Sequence, residues 1–229
     1  MQIIKDVFEP GAHIYPFAES IDFLRAVGRG EAESALRLYS PAPNVAFGRR
    51  DELNPRFEQA SQAAQRHGYE PLVRPVGGHA AGYDAGCLVV DHFHAVSDAV
   101  SGNTDRFSIF GEMYVRILNS LGVQACMGEI PGEYCPGEYS VHAVLPDDAR
   151  IKIVGTAQRV VAGAWWFSAG IVVKEHTDSL KSVTQDVYQA LDLSLEPSTV
   201  GALSDANPLI EVADVEDAVI EAYEELGFC

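Results

Sequence analysis

Apolar positions recur along this chain with two periods, and the change of period marks its elements. Phe17–Gly28 (FAESIDFLRAVG) has apolar residues at helical spacing and ends on glycine, which predicts a helix. Ala35–Tyr39 and Asn44–Phe47 predict two strands around the turn Ser40-Pro41-Ala42-Pro43. Residues 55–68 predict a helix closed by Gly68, and Pro71–Val73 a short strand running into the loop Gly77-Gly78-His79. Cys87–Phe93 is apolar enough for a central strand. The longest helical pattern is 104–121, with Thr104 or Asp105 as its cap. After a glycine- and proline-dense stretch, 132–139, come strands over 151–161 and 164–173. Helices over 180–193 and 215–226 close the chain. Helices and strands interleave irregularly, and no linker divides them. The expectation is an α+β fold: one domain over 1–229, with a mixed, largely antiparallel sheet flanked by helices.

Composition changes this picture little. At 229 residues the chain can bury a large core, and no apolar run approaches the ~20 residues of a membrane helix. The first ten residues carry acid and proline where a signal peptide has an apolar core, so a cytoplasmic location without membrane attachment is expected. The formal charge of −17 argues against nucleic acid as a partner. Four cysteines, Cys87, Cys126, Cys135 and Cys229, show no metal-ligand spacing, so no metal site is expected and the thiols should be free.

Three segments carry candidate chemistry. In the first, Arg74 sits beside Gly77 and Gly78, which let backbone approach a ligand; a plain turn is the alternative. In the second, Cys135-Pro136-Gly137 makes a turn, so Cys135 is the accessible thiol. Cys87 reads as a small core residue, Cys126 lies between helix and loop, and Cys229 is terminal. In the third, Lys152, one of only four lysines, lies within an apolar strand pattern. It either points to water or supplies an ammonium for a carbonyl oxygen that turns negative in acyl transfer.

In this order the segments resemble the lipoate-protein ligase and octanoyltransferase superfamily. Asn44-Val-Ala-Phe-Gly-Arg49 is similar to its early strand, and 74–84 to its Arg-x-x-Gly-Gly-Gly-x-x-x-x-Asp loop. Lys152-Ile-Val-Gly-Thr-Ala-Gln158 resembles the stretch carrying its catalytic lysine. Cys135-Pro-Gly-Glu-Tyr139 resembles the Cys-Pro-Gly-x-Tyr of cysteine-dependent octanoyl-[H-protein]:protein amidotransferases. The chain departs from the family at His79, which replaces the loop's third glycine, at Tyr83, and at Trp165–Gly170.

The resemblance implies a lipoate/biotin-ligase-like catalytic fold and an octanoyl or lipoyl transferase. Cys135 and Lys152 would be catalytic. Arg74, Val76, Gly77, Gly78, His79, Asp84, Gly155, Thr156 and Ala157 would bind substrate. The donor would be a carrier-protein thioester on acyl carrier protein, or the glycine-cleavage H-protein. The acceptor would be a lysine of a lipoyl domain. Lys152 and backbone N–H groups near Gly77 and Gly78 would hold the acyl oxygen, and His79 could accept the Cys135 proton. Val76, Ala80 and Trp166 are expected to wall an acyl tunnel, and Arg49, Arg50 and Arg159 to form a basic patch. No cofactor is required for transfer. ATP and magnesium would be needed if the chain is instead an ATP-dependent lipoate ligase. A non-catalytic acyl-binding homologue is the other alternative.

Overall fold

The computed structural model describes residues 1–6, 17–174 and 179–228. Cys229 lies outside the described residues. In chain order the elements begin with β1 (Gln2–Asp6), α1 (Phe17–Gly28), β2 (Ala35–Tyr39), β3 (Asn44–Phe47), α2 (Arg49–Glu52) and α3 (Phe57–Arg66). Next come β4 (Glu70–Val73), β5 (Ala81–Tyr83), β6 (Cys87–Ala95), α4 (Asn103–Ser120), β7 (Ala125–Met127) and β8 (Val141–Val144). The chain continues through β9 (Arg150–Val161), β10 (Ala164–Val172), α5 (Ser179–Leu191), α6 (Leu203–Ala206) and α7 (Val212–Glu225).

Seven strands form the main sheet in the order β1-β2-β6-β10-β9-β8-β7. Only β1 and β2 pair in parallel there, so the sheet is mixed and largely antiparallel, as the patterning predicts. A smaller sheet, β4-β3-β5, stands apart from it. The turn Ser40–Pro43 therefore does not join a hairpin: it carries the chain from β2 in the large sheet to β3 in the small one. Strands β1, β5, β7 and β8 escape sequence reading because three to five residues hold too few alternations to show a period. The helix expected from Thr104 or Asp105 starts at Asn103 instead, capped by Gly102 in a left-handed conformation and by no side chain.

Strand β10 shows how the two faces divide. Trp165, Phe167, Ala169 and Ile171 belong to the core shared with α4 and α7. Trp166, two residues before Ser168, packs on the opposite face with Leu24, Val27, Val76 and Phe93. This is the two-residue period of a strand buried on both sides.

Within the first core lies an oddity. His92 is buried among Trp165, Phe110, Tyr223 and Phe228, and neither ring nitrogen has a hydrogen-bond partner among the described residues. Burial, followed by the neighbouring His94, holds its pKa well below the ordinary 6.5. Below about pH 6.5 the unfolded chain takes up a proton that the folded chain refuses, so this residue drains stability as pH falls. His92→Phe should lose that penalty. In denaturant titrations between about pH 7 and pH 5, its stability advantage over the parent should widen steadily. A constant difference would show that His92 does not titrate this way.

Candidate active site

The loop between β7 and β8 holds Cys135 in a conformation that few L-residues adopt, with φ at 43°. Such backbone costs roughly 1–3 kcal/mol and persists only where surroundings over-determine it. Here they do. The Cys135 N–H donates to the Tyr188 hydroxyl (2.6 Å), which in turn donates to the Ala80 carbonyl (3.0 Å). The Cys135 carbonyl accepts from Lys152 Nζ at 2.7 Å. The sulfur is left to face its own neighbours: the His79 N–H at 3.1 Å and Arg74 Nη2 at 3.6 Å.

Lys152 lies on β9 and is only 1% exposed. The alternative in which it points to water does not hold. Its ammonium donates to Glu133 Oε1 (3.0 Å), the Tyr134 carbonyl (2.8 Å) and the Cys135 carbonyl (2.7 Å), and it sits 4.8 Å from the Tyr134 ring centroid. All three N–H groups are thus committed to the cysteine loop. Glu133, equally buried, also accepts from Ser140 Oγ (2.5 Å), the Gly137 N–H (3.2 Å) and the Ile130 N–H (3.3 Å). The pair is a buried clamp that fixes both ends of the turn bearing the thiol. No sequence pattern singles out Glu133, although it precedes Cys135 by two residues.

Arg74 follows β4 and is buried, with Nη2 donating to the His79 carbonyl (2.6 Å) and Nε without a partner among the described residues. Burial works against its charge, but the facing Cys135, Tyr83 and Tyr188 more than offset that, and its pKa moves upward. Burial above all raises the pKa of Tyr83, Tyr134 and Tyr188. The fixed charges near sulfur are those of Arg74 and of the Lys152–Glu133 pair.

The glycine loop closes over this centre. Gly78 has φ at 102°, and a Cβ there would lie 2.6 Å from both Cys135 Sγ and Arg74 Nη2. Gly78→Ala should therefore displace the thiol. We expect a loss of about 10²-fold in turnover, the scale of a misplacement near 1 Å, with roughly 1–3 kcal/mol of stability. Turnover retained within a few-fold would show that this approach is not needed.

Cys135 and Lys152 both line a cavity of about 220 Å³. Arg74, Val76, Gly78, Gly155, Thr156 and Ala157 line it too. Tyr83, Ser168 and Gly170 also contribute, at two of the places where the chain departs from the family pattern, and so do Tyr39, Asn44 and Val89, which the sequence does not single out. Gly170 is required by packing, since a Cβ there would meet the Tyr83 ring at 2.4 Å. Gly77, His79 and Asp84 lie off the lining. Asp84 instead organises its own turn, accepting from the Tyr69 hydroxyl (2.9 Å) and the Gly86 N–H (2.8 Å). Two expected wall residues are corrected. Trp166 shares the strand face of Ser168 and Gly170 but lies beyond the cavity, packed with Leu24, Val27 and Phe93 and donating to Asp91 Oδ1 (2.9 Å), whereas Ser168 and Gly170 line it. Ala80 is buried in the core beside the small sheet.

His79 divides its roles. Its main-chain N–H meets the sulfur, while ring Nδ1 meets Asp51 Oδ1 at 2.7 Å. Asp51 is buried on α2, and its second oxygen accepts the Gly48 N–H at 2.9 Å. Arg49 pairs with Glu52 and Arg159 donates to the Pro75 carbonyl, so two members of the expected basic patch already have partners. Cys87 is buried, and Cys126 is exposed on β7. Among the described residues no metal-holding cluster occurs, and no helix is long and apolar enough to cross a membrane.

Residues 15–224 match the family model of the lipoyl protein ligase A/B catalytic domain. The chain is 28% identical over 138 residues to an octanoyl-[GcvH]:protein N-octanoyltransferase of Geobacillus kaustophilus; that match spans 60% of this chain but under half, 47%, of the relative. With the protein of the same name from Exiguobacterium sibiricum it shares 24% over 205 residues, 84% of this chain and 71% of that one. A lipoyl-[GcvH]:protein N-lipoyltransferase of Listeria monocytogenes is 23% identical over 205 residues, covering 84% and 70%. Among solved structures, lipoate-protein ligase A bound with ATP superposes with a TM-score of 0.69 at 19% identity, over 98% of this chain and 84% of that one. The bipartite lipoate protein ligase of Thermoplasma acidophilum gives 0.66 at 20%, over 98% and 82%. At such identities the superpositions establish the shared fold.

Proposed function

The chain belongs to the lipoyl protein ligase A/B catalytic-domain family, and from that premise we propose that it moves an octanoyl or lipoyl group through Cys135 to a lysine of a lipoyl domain. One observation carries this reading. A strained, accessible thiol opens on a cavity of about 220 Å³, between a buried arginine and a donated N–H. Both neighbours interact more strongly with a negatively charged sulfur than with a neutral one.

In the first half-reaction the sulfur attacks the acyl carbon. The C–S bond to Cys135 forms, and the bond to the donor's leaving group breaks. In the second, a lysine amine attacks the acyl-Cys135 carbon and releases the sulfur. Lys152 serves the acyl oxygen by exchanging its hydrogen bond to the Cys135 carbonyl for one to substrate, with the His79 N–H beside it. The acyl chain lies in the cavity, where each buried CH₂ is worth ~0.8 kcal/mol.

The names of the relatives make octanoyl-GcvH the first donor to test, with octanoyl acyl carrier protein as the second. Incubation with either, without ATP, should add one octanoyl mass to the intact protein. An added lipoyl domain should then remove it. A protein that gains mass from neither donor, yet modifies the lipoyl domain with ATP, magnesium and free octanoate, is a ligase. One that does neither is a non-catalytic homologue.

A further inference from the structure

We propose that His79, held by Asp51, is the residue that moves the amine proton in this transfer; the inference rests on the reading above. Two facts place it. Its main-chain N–H lies 3.1 Å from the sulfur, which roots the side chain beside the reacting atoms. That ring is anchored at Nδ1 by Asp51 at 2.7 Å, and Asp51 is itself held by the Gly48 N–H. A carboxylate on Nδ1 fixes the ring and leaves Nε2 as the working nitrogen, the arrangement in which histidine serves as acid and base.

The position also suits the chemistry. His79 is absent from the cavity lining, and its side chain is 28% exposed. The acyl chain occupies the apolar cavity, whereas the lysine amine of another protein must arrive from solvent, to which His79 is partly open. Thiol–thioester exchange passes an acyl group between two sulfurs, either of which leaves readily as a thiolate. An amine differs. In attack on acyl-Cys135 the new C–N bond forms, one N–H proton passes to His79 Nε2, the C–S bond breaks, and the sulfur departs with its electron pair. An octanoyl-lysine amide as donor runs the same step backwards: protonated His79 delivers its proton to the leaving nitrogen as the C–S bond forms. One dyad thus serves both directions of amine exchange.

The test separates the half-reactions by intact-protein mass spectrometry, using octanoyl-pantetheine as a thioester donor and an octanoyl-lysine domain as an amide donor. His79→Ala and His79→Gln should still load Cys135 to completion from the thioester, which also reports a folded site. Both should lose about 10²-fold or more in transfer from preloaded Cys135 to a lipoyl-domain lysine, and in loading from the amide, the range of general acid–base catalysis. Imidazole in solution should restore part of the His79→Ala rate. Asp51→Asn should lower the transfer rate constant at saturating lipoyl domain while leaving the half-saturating concentration unchanged. Wild-type transfer rates in both His79 variants, or equal slowing with thioester and amide, would overturn the proposal. A wild-type protein that never loads Cys135 from either donor sinks the underlying acyl-transfer reading instead. An Asp51→Asn variant that raises only the half-saturating concentration removes Asp51 from the dyad.

Discussion

Cys135→Ala is expected to take up no octanoyl group from any donor and to lose on the order of 10⁴-fold or more in transfer, since no covalent intermediate can form. Intact mass after incubation with octanoyl carrier checks the first point, and modification of a lipoyl domain checks the second. The fold should hardly notice. The side chain is only half-buried, and its sulfur accepts one main-chain N–H and one longer arginine contact. A substitution that silences chemistry without unfolding the protein is the signature of a reactive group. The backbone offers a second check. Alanine inherits the positive φ that glycine takes without cost. Cys135→Gly should therefore be the more stable of the two inactive variants, by about 1 kcal/mol. Octanoyl adduct retained on Cys135→Ala would move the nucleophile to another residue.

Lys152→Met should damage both stability and activity, for separable reasons. The substitution leaves Glu133 buried without its cation and strips the Tyr134 and Cys135 carbonyls of their donor. Breaking a buried pair from one side costs about 3–5 kcal/mol. For a chain of this length that lowers Tm by roughly 6–20 °C. Activity should fall at least ~10²–10³-fold, the cost of a lost oxyanion donor, and further because the thiol's turn loses its clamp. A second substitution separates the two effects. Adding Glu133→Gln removes the stranded charge and should return part of the stability but none of the activity. Full recovery of turnover in the double variant would reduce Lys152 to a structural counter-ion.

The partners of Cys135 and His79 explain why some of the site could be read from sequence and some could not. Cys135 and Lys152 announce themselves locally: one sits before Pro-Gly, the other is a lone cation in an apolar strand. Arg74 and Gly78 stand in one glycine loop. The partners that give them their properties come from elsewhere in the chain. Tyr188 on α5 reaches back to the Cys135 N–H and the Ala80 carbonyl, and Asp51 on α2 meets His79. Neither pairing leaves a periodic trace. Tunnel walls were also poorly legible. Apolar character marks burial, but along one strand face it does not say where solid core ends and the cavity begins. Trp166, Ser168 and Gly170 share a face of β10, yet Trp166 is core and the two smaller residues line the pocket.

By itself, then, the sequence determined the kinds and order of the longer elements, the mixed and largely antiparallel sheet, and the thiol and ammonium of the site. These follow from short-range periodicity and from residues whose chemistry is rare in their surroundings. Only the tertiary structure decided that β3 leaves the large sheet for the small one, and that all three Lys152 N–H groups are spent on the cysteine loop. It also decided that a histidine in the glycine loop is tied to a carboxylate on α2. Each of these depends on which distant backbone closes against which side chain. That choice is made by burial and hydrogen-bond satisfaction across the whole chain, and no local pattern of residues encodes it.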